Sequence, residues 1–332
     1  MQGNGEHQPN DKALPPAARG AGFASPFDQA AWFDLLTAHG YAPGGRLNAW
    51  GGAGETRAWL PLRIERPGAL AGLGNWYSFS VRPLYTGEDK RADALADLFA
   101  RLRKGADRLT LYPVPDAEKH GIAAAMRDAG WWVYDAPRGD RHWLDLAGLD
   151  HEGWWESRPG ALRSTVKRKA RKGVVDIALF TAFDGAAWAA YEAIYAASWK
   201  PEEGDPALLR AFAEAESARG TFRMGLARID GAPVAAQFWT VEDGTAFIHK
   251  LAHVEDSLKA SPGTLLSAAL FRHVIEVDRV VRVDFGTGND AYKRDWMNRH
   301  EPLWHIEAFN PSRIAAWGPA LKAFARSALG RA

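Results

Sequence analysis

The sequence predicts an α/β fold, an α+β arrangement on a mixed sheet, because residues 222–297 carry strand and helix signals in a distinctive order. Two Asp-Gly pairs, at 230–231 and 243–244, separate three apolar runs. An Asp-Gly pair between apolar runs is a strong hairpin signal, since glycine supplies the positive φ that such turns need. Ser261 and Pro262 then suit the N-cap and first position of a helix. A short apolar run at 280–285 predicts a buried strand. The predicted order is therefore a three-stranded meander, a helix and a strand.

The second half of the chain predicts ten elements, whose helices carry apolar residues at helical spacing. They are strand 174–180, helices 186–199 and 206–220, strands 222–229, 233–241 and 245–251, helix 262–277, strand 280–285, helix 289–297 and strand 303–309.

The first half predicts a looser version of the same order. Its elements are helix 27–39, an apolar segment at 47–50, strands 57–65 and 76–81, helix 91–104, strand 109–114, helix 117–129, and strands 131–134 and 142–146. A repeat of this length is too long for a solenoid, so two related domains are expected. The predicted divisions are a disordered tail at 1–24, a first domain at 25–150, a basic linker helix at 151–173 and a second domain at 174–332.

Composition and charge exclude several classes of protein. The chain has 332 residues, a formal net charge of +1 and no cysteine. The charge gives no global field that would draw the protein to nucleic acid or anionic lipid. The lack of cysteine excludes disulfides, a thiolate nucleophile and a cysteine-ligated metal, and it fits a reducing compartment. Residues 1–24 lack the apolar stretch of a signal peptide, and no apolar run approaches a membrane helix, so a cytoplasmic location is expected.

The predicted linker helix is strongly basic, with six lysines and arginines among residues 163–172. The simplest interpretation is a solvated helix that ends at Gly173. A second is electrostatic steering of an anionic substrate such as a sugar nucleotide or a polysaccharide. A third is tRNA binding, and the spacing of the cations does not choose among these partners.

Several segments together resemble the Fem-like branch of the GNAT superfamily, and more narrowly its BioF2-like or CelD-like group. They are the tandem order of elements, the basic helix, the strand end Asp284-Phe285-Gly286, the pair Tyr292-Lys293, and the segments 233–238 and 250–253. The resemblance implies tandem GNAT-like (acyl-CoA N-acyltransferase) domains, of which the first is degenerate and the second catalytic. It also implies transfer of an acyl or aminoacyl group from a thioester or ester donor to an amine.

The loop before helix 262–277 is the predicted donor site. Most GNAT acetyltransferases carry a Gly-x-Gly/Ala loop here for the coenzyme A pyrophosphate, whereas this chain keeps Lys259, Ser261, Gly263 and Thr264. A helix N-terminus presents unsatisfied N–H groups and a positive dipole end to a phosphate, and Lys259 adds charge. Pro262 contributes no N–H. The expected donor is acyl-CoA, most simply acetyl-CoA, with aminoacyl-tRNA or a plain capped helix as alternatives.

Three residues are candidates for catalysis. His249, on the strand that meets the thioester in GNAT-like folds, suits a general base because the histidine pKa lies near neutrality; its alternative is pairing with a neighbouring carboxylate. Tyr292 lies where acetyltransferases of this type often place the acid that protonates the leaving thiolate, or it packs on Trp296. Asp284 orients the acceptor amine or fixes Lys293, or it caps the glycine loop that follows.

Lys250 and Lys293 are the candidate contacts to an anionic substrate, and a solvated lysine is the simpler interpretation of Lys293. His249 and His253 are four residues apart without a carboxylate cluster, so no metal is expected. The chain also lacks a Walker loop, a Gly-x-Gly-x-x-Gly pattern and a Gly-x-Ser-x-Gly elbow, which leaves nucleotide hydrolysis, hydride transfer and serine hydrolysis without support.

The leading hypothesis is therefore an acyltransferase that moves an acyl group from acyl-CoA to an amine acceptor, on a small molecule, a saccharide or a cell-envelope precursor. One alternative is an aminoacyl-tRNA-dependent ligase of the Fem type. The other is a non-catalytic protein that binds a glycan through some of its fifteen tryptophans.

Overall fold

The computed structural model describes residues 13–15, 17–20 and 24–328. As far as Asp145 its elements are α1 (Ala30–Ala38), β1 (Arg46–Ala53), β2 (Thr56–Arg66), β3 (Ala69–Gly72), β4 (Leu84–Thr86), α2 (Arg91–Arg103), β5 (Arg108–Pro115), α3 (Asp116–Asp128) and β6 (Trp132–Asp145). The remaining elements are α4 (His151–Glu156), α5 (Gly160–Ala170), β7 (Val175–Phe180), α6 (Gly185–Ala196), α7 (Pro206–Ala218), β8 (Phe222–Ile229), β9 (Ala232–Glu242), β10 (Thr245–His253), α8 (Pro262–Glu276), β11 (Arg282–Thr287), α9 (Lys293–Trp296), β12 (Arg299–Phe309) and α10 (Ile314–Ala328).

The chain folds into two compact units. Of the described residues, unit one comprises those up to Asp140 and those from Glu301 onward, and unit two comprises the continuous stretch 141–300. The predicted domain limits at 25–150, 151–173 and 174–332 describe a repeat in the sequence and stay a prediction. The boundaries between the two compact units lie inside β6 and inside β12.

Unit one contains a mixed sheet in the order β1-β2-β3-β5-β12, with β4 paired to β2. Strands β3 and β5 are parallel, and the other pairs are antiparallel. Helix α2 packs on β1 and β2, and α3 packs on β5. The aliphatic and aromatic side chains between these layers, such as Leu60, Leu98, Phe99 and Leu109, are fully buried.

The predicted strand 76–81 does not form. Asn75 and Ser78 close a local turn instead: the Asn75 carboxamide accepts from the Tyr77 N–H at 3.0 Å, and the Ser78 hydroxyl accepts from the Asn75 N–H at 3.2 Å. Such side chain to backbone bonds compete with a sheet ladder. The strands in this region are β3 and β4, on either side of the turn.

Part of the predicted tail 1–24 is ordered. Leu14 and Ala18 are buried, and Arg19 pairs with Tyr85 through an antiparallel bridge. The predicted disorder therefore does not extend over these residues, and the rest of that prediction, at 1–12, 16 and 21–23, lies outside the described residues. At the other end of the chain, α10 was not predicted. The two strands predicted at 131–134 and 142–146 are one strand, β6.

Unit two contains a sheet in which the end of β6 pairs with β11, followed by β10, β9, β8 and β7. Only β10 and β11 are parallel. Helix α8 packs on β7 to β10, with α4 and α5 against it, while α6 and α7 pack on β8 to β10. Neighbouring residues of β9 point to opposite faces. Accordingly, Trp239 meets Phe271 of α8 at 5.2 Å between ring centroids, and Phe238 meets Trp188 of α6 at 5.4 Å.

The three-stranded meander follows the sequence prediction closely. The central residues of its turns all have positive φ: 50° at Asp230, 81° at Gly231, 44° at Asp243 and 73° at Gly244. Two consecutive positive φ values are the mark of the type I′ hairpin turn, whose twist matches that of the strands. The predicted Asp-Gly hairpins at 230–231 and 243–244 are thus confirmed.

Candidate functional site

A cleft opens in unit two where β10 and β11 separate. The two strands pair over only three residues each, from Thr245↔Arg282 to Phe247↔Asp284, although β10 continues to His253. The part of β10 beyond the ladder, together with the first turn of α8, borders a cavity of about 350 Å³. Its lining includes Leu162, Trp199, Gln237, Leu251, Ala252, His253, Ser261, Gly263, Thr264, Ser267, Tyr292 and Trp296.

The first turn of α8 is fixed to the sheet by Gln237, a buried residue of β9. Its amide nitrogen donates to the Gly263 carbonyl at 3.2 Å and to the Ser267 hydroxyl at 2.7 Å, and its amide oxygen accepts from the Trp239 indole at 3.0 Å. A buried amide with every group bonded holds a defined geometry. Sequence reasoning did not assign Gln237 a role, but a single polar residue inside the apolar run 234–239 was the available signal.

The predicted donor loop lies at the cleft with one exception. Ser261, Gly263 and Thr264 line the cavity, and the N–H groups of Gly263 and Thr264 have no earlier helical carbonyl to bond. Ser261 occupies the N-cap position as predicted, although its side chain makes no capping bond and its φ is +56°. Lys259 has an exposed side chain and is not among the lining residues; its carbonyl accepts from Lys169 of α5.

His253 is the histidine that borders this cleft. Its ring lies 4.4 Å from the ring of Trp199, between centroids, and a Cβ atom placed on Gly263 would be 3.4 Å from its Nδ1. Burial lowers the pKa of His253, and the charge of Lys200 lowers it further, so the neutral form dominates at pH 7. From the sequence, His253 entered only the family resemblance and the argument against a metal site, and it had no predicted catalytic role.

His249 lies on the opposite face of the sheet because β10 contains a bulge. Ile248 pairs with Trp239 and Lys250 pairs with Phe238, which leaves His249 as the extra residue. In a regular strand His249 and His253 share a face, and one extra residue reverses that relation. The His249 ring stacks on Phe238 and meets Phe212 edge-on, and its Nε2 lies 2.8 Å from the Thr240 hydroxyl.

Two consequences follow for His249. Its Nε2 is hydrogen-bonded to the hydroxyl of Thr240, and pairing with a neighbouring carboxylate stays a prediction. Burial lowers the pKa of His249 to about 3, with a smaller contribution from Lys250. The ring is therefore neutral across the physiological range, outside the lining of the cleft, and its role as general base stays a prediction.

Tyr292 lines the cleft at the N-terminus of α9. Its ring meets Phe285 edge-on at 5.6 Å rather than the expected Trp296. Burial raises the pKa of Tyr292, and the neighbouring Asp290 raises it further. The phenol therefore keeps its proton at neutral pH while its side chain remains partly exposed to the cavity.

Asp284 and Lys293 are buried and hold the loop between β11 and α9. Asp284 pairs with Arg141, whose Nε lies 2.9 Å from Oδ2, and its Oδ1 accepts from the Gly286 N–H at 2.9 Å. The Lys293 Nζ donates to the Thr287 carbonyl at 2.6 Å, and burial lowers the pKa of its ammonium. Both environments match the loop-capping alternative for Asp284, and Lys293 is not the solvated lysine that was considered. Neither residue lines the cleft.

Lys250 follows the bulge and points to the α6 side of the sheet. Its Nζ lies 2.8 Å from Glu203 Oε1 and 5.5 Å from the centre of the Tyr195 ring. Burial lowers the pKa of Lys250, and Glu203 opposes that change. The predicted contact of Lys250 with an anionic substrate stays a prediction.

Comparison with known proteins agrees with this geometry. Residues 160–294 match the family model described as an acetyltransferase (GNAT) domain. Unit two carries a GNAT domain. The matched range begins with α5 and ends inside α9, so it contains the donor loop, both histidines of β10 and most of the cleft lining. No protein with a curated description matches the chain.

Solved structures extend the likeness of fold beyond the GNAT domain. FemX superposes with a TM-score of 0.64 over 87% of this chain and 94% of its own, at 9% identity. The C-terminal domain of a putative lysylphosphatidylglycerol synthetase from Agrobacterium fabrum gives 0.55, over 89% and 91%, at 15% identity. L-PGS from Bacillus licheniformis gives 0.52, over 88% and 95%, at 12% identity. The predicted α/β fold of the Fem-like GNAT type is therefore confirmed. The family match at residues 160–294 supports a transferase.

The described residues contain neither a membrane-spanning helix nor a metal-binding cluster. None of the described helices is long and apolar enough to cross a membrane. Within the same residues, no three histidine or acidic side chains are grouped so that they could hold a metal ion.

Proposed function

We propose that this protein is an N-acyltransferase that takes an acyl group, most simply acetyl, from acyl-CoA and transfers it to an amine. The observation that carries the proposal is the cleft at the separation of β10 and β11, with the first turn of α8 at its side. The free N–H groups of Gly263 and Thr264 and the positive end of α8 suit the pyrophosphate. The part of β10 beyond its ladder with β11 offers backbone groups to the thioester carbonyl.

The proposed chemistry assigns the proton transfers to two residues of the cleft. The acceptor nitrogen attacks the thioester carbon, and His253, which is neutral at pH 7, accepts the proton that the nitrogen loses. The C–S bond then breaks. Tyr292, which keeps its proton at neutral pH because its pKa is raised, donates to the thiolate as it departs. The proton on His253 then passes through solvent to the Tyr292 phenolate, which restores both residues. The balance is one amide formed, one thioester consumed and one proton delivered to sulfur.

The donor assignment is tested by thermal unfolding with and without excess acetyl-CoA. At about 100 times its dissociation constant a ligand adds roughly 2.7 kcal/mol, which raises the midpoint by several degrees. Gly263→Val places a side chain against His253 and is expected to abolish the shift. Gly185→Val, at the first position of α6 and facing open space, is the matched control and keeps it. An unchanged midpoint for the wild-type protein with acetyl-CoA and longer acyl-CoAs would contradict the proposal.

Variants of the two histidines of β10 test which of them is the general base: His253, which lines the cleft, or His249, which the sequence predicted. With acetyl-CoA and an accepted amine, His253→Gln is expected to lower kcat/KM by about 100-fold, the usual contribution of a general base. His249→Gln, on the opposite face, is expected to change it by less than about threefold. Release of free thiol measures both. The reverse order of effects would return the role of base to His249.

A second candidate, transfer from an aminoacyl-tRNA, is favoured by the position of the basic helix. Leu162 of α5 lines the cleft, and Lys169 of the same helix donates to the carbonyl of Lys259, beside the donor loop. Six lysines and arginines at 163–172 thus border the place where the donor enters. Pro262 also removes one N–H from the pyrophosphate site. The saccharide acceptor and the narrower BioF2-like or CelD-like assignment stay predictions.

A further inference from the structure

A second cavity lies on the other face of the sheet in unit two, between α6 and α7. Its volume is about 420 Å³, within the range of small-molecule sites. Most of its wall is aromatic or aliphatic, and this apolar part includes Trp188, Tyr191, Tyr195, Pro206 and Leu209. A cavity of this size and lining suits an apolar side chain of a small ligand, and the proposed transfer of an acyl group does not use it.

The charged groups of this cavity are one lysine, Lys200, and three carboxylates, those of Glu192, Glu202 and Glu203. Glu192 accepts from the Trp188 indole N–H at 3.0 Å. Glu203 has both oxygens engaged, one by the Tyr191 hydroxyl at 3.0 Å and the other by Lys250 at 2.8 Å. Lys200, in contrast, forms no ion pair with any described residue. Its ammonium lies near two rings, those of Trp199 and Tyr195, whose centres are 5.8 and 5.9 Å away.

Charges of both signs surround Lys200. Two cations, Lys250 and Lys293, lower its pKa, and two anions, Glu203 and Asp290, raise it. Burial lowers the pKa of Lys200 to about 8, so the ammonium is still mainly charged at pH 7. A partly buried cation without a partner is unfavourable unless a ligand supplies an anion.

Lys200 also lies next to the donor cleft. Lys250 belongs to β10, and Asp290 and Lys293 follow β11, so the charges around Lys200 mark the opening between these two strands. Trp199, the preceding residue, lines the donor cleft and packs on His253. A ligand anion on Lys200 would therefore be held where the α6 side of the sheet meets the thioester.

We propose that the cavity between α6 and α7 binds the acceptor, and that the acceptor is an α-amino acid with an apolar or aromatic side chain. Its carboxylate pairs with Lys200, its side chain lies against Trp188, Tyr195 and Leu209, and its amine faces the opening toward His253. The inference rests on the proposed function. The reaction joins the amine nitrogen to the acyl carbon, breaks the C–S bond and places the amine proton on sulfur, giving an N-acyl amino acid and free coenzyme A.

The binding site is tested without any donor, by calorimetry at pH 7 with three probes that share a phenyl ring. These are phenylalanine, 3-phenylpropanoate, which lacks the amine, and phenethylamine, which lacks the carboxylate. Phenylalanine and 3-phenylpropanoate are expected to bind at least tenfold more tightly than phenethylamine. Equal binding of phenethylamine, or no binding of either carboxylate at millimolar concentration, would overturn the proposal.

Variants of Lys200 assign the anion contact. Lys200→Met is expected to weaken 3-phenylpropanoate at least tenfold, while Lys200→Arg, which keeps the charge, retains most of the affinity. Lys322→Met, an exposed lysine of α10, is the control with the same change in net charge. Circular dichroism checks that each variant is folded. Unchanged affinity in Lys200→Met would refute the assignment.

The two proposals fail separately. Carboxylate binding that depends on Lys200, in a protein that shows no shift with any acyl-CoA, would keep the amino-acid site and remove the acyl-CoA donor. A clear acyl-CoA shift without carboxylate binding would keep the donor and remove the amino-acid acceptor. Formation of N-acetylphenylalanine from acetyl-CoA, lost in Lys200→Met, would support both.

Discussion

At the scale of single residues, the site depends on how each polar side chain is satisfied. His249, Asp284 and Lys293 are all attractive candidates in a sequence, because a polar residue at a strand end invites a catalytic role. In the structure each of them has a hydrogen-bond partner outside the cleft lining. His249 meets the Thr240 hydroxyl, Asp284 the Arg141 guanidinium and Lys293 the Thr287 carbonyl. The residues that face the cleft, His253, Gln237 and Trp199, carry less obvious signals.

The buried His249 predicts a specific loss of stability in acid. Its pKa is about 3 in the folded protein, against 6.5 for an unperturbed histidine, so the unfolded chain binds a proton that the folded chain does not. The contribution of the neutral ring is complete above about pH 6.5. It is lost as the pH falls toward 3, at up to roughly 1.4 kcal/mol per pH unit.

The measurement is the free energy of unfolding of wild type and His249→Gln from pH 7.5 to 4. Glutamine has no proton to gain and is expected to give a shallower decline over that range, whatever its stability at pH 7. Parallel curves for the two proteins would contradict the assignment of this acid sensitivity to His249.

At the scale of elements, the decisive feature is the way in which β10 is interrupted. Its ladder with β11 ends after Phe247, and its ladder with β9 skips His249. The first change opens the cleft, and the second sends His249 and His253 to opposite faces. Helix α8 must then lie close to the sheet, since Gln237 spans from β9 to its first turn.

Gly225 of β8 is one place where this close approach is visible. A Cβ atom there would lie 2.7 Å from Leu266 Cδ1 and 3.0 Å from Leu270 Cδ1, both on α8. Gly225→Ala is expected to cost about 1–2 kcal/mol of unfolding free energy by overpacking, and to weaken acetyl-CoA binding because α8 must move. Gly185→Ala, which faces open space, is the control in urea unfolding. A stability equal to that of the control would show that α8 accommodates the methyl group without cost.

At the scale of the whole molecule, charge separates the two candidate donors. The net charge of +1 gives no long-range attraction to a polyanion, so any tRNA binding must rely on the six cations of 163–172. Six or more phosphate contacts lose roughly 1,000-fold in affinity between 50 and 200 mM salt. Acyl-CoA, with few phosphates, is expected to lose less than about tenfold.

The measurement is the affinity of each donor across that range of salt, in wild type and in a variant with Arg168 and Lys172 changed to glutamine. The variant is expected to leave acetyl-CoA binding within twofold and to flatten any salt dependence of tRNA binding. Tight tRNA binding with a steep slope, together with absent acyl-CoA binding, would make the aminoacyl-tRNA candidate the better one.

The sequence by itself determined the fold class, the meander and the helix that follows it. Asp-Gly turns, a proline at the first position of α8 and the apolar period of each element are local signals, and local signals are read directly from the chain. Ser261, Gly263, Thr264 and Tyr292 lie at the ends of strongly marked elements and line the cleft, and their roles in donor binding and catalysis stay predictions.

Tertiary structure alone decided which polar side chains share the cleft. A bulge of one residue reverses the face of everything beyond it, and no local signal in 245–253 marks where the extra residue falls. The partners of Asp284 and Lys250 lie 143 and 47 residues away along the chain, so their pairing was not visible in sequence. The turn at Asn75–Ser78 prevailed over the period-two pattern at 76–81, because its side chains bond the backbone locally. Local preference sets the elements, whereas long-range packing decides what each polar residue meets.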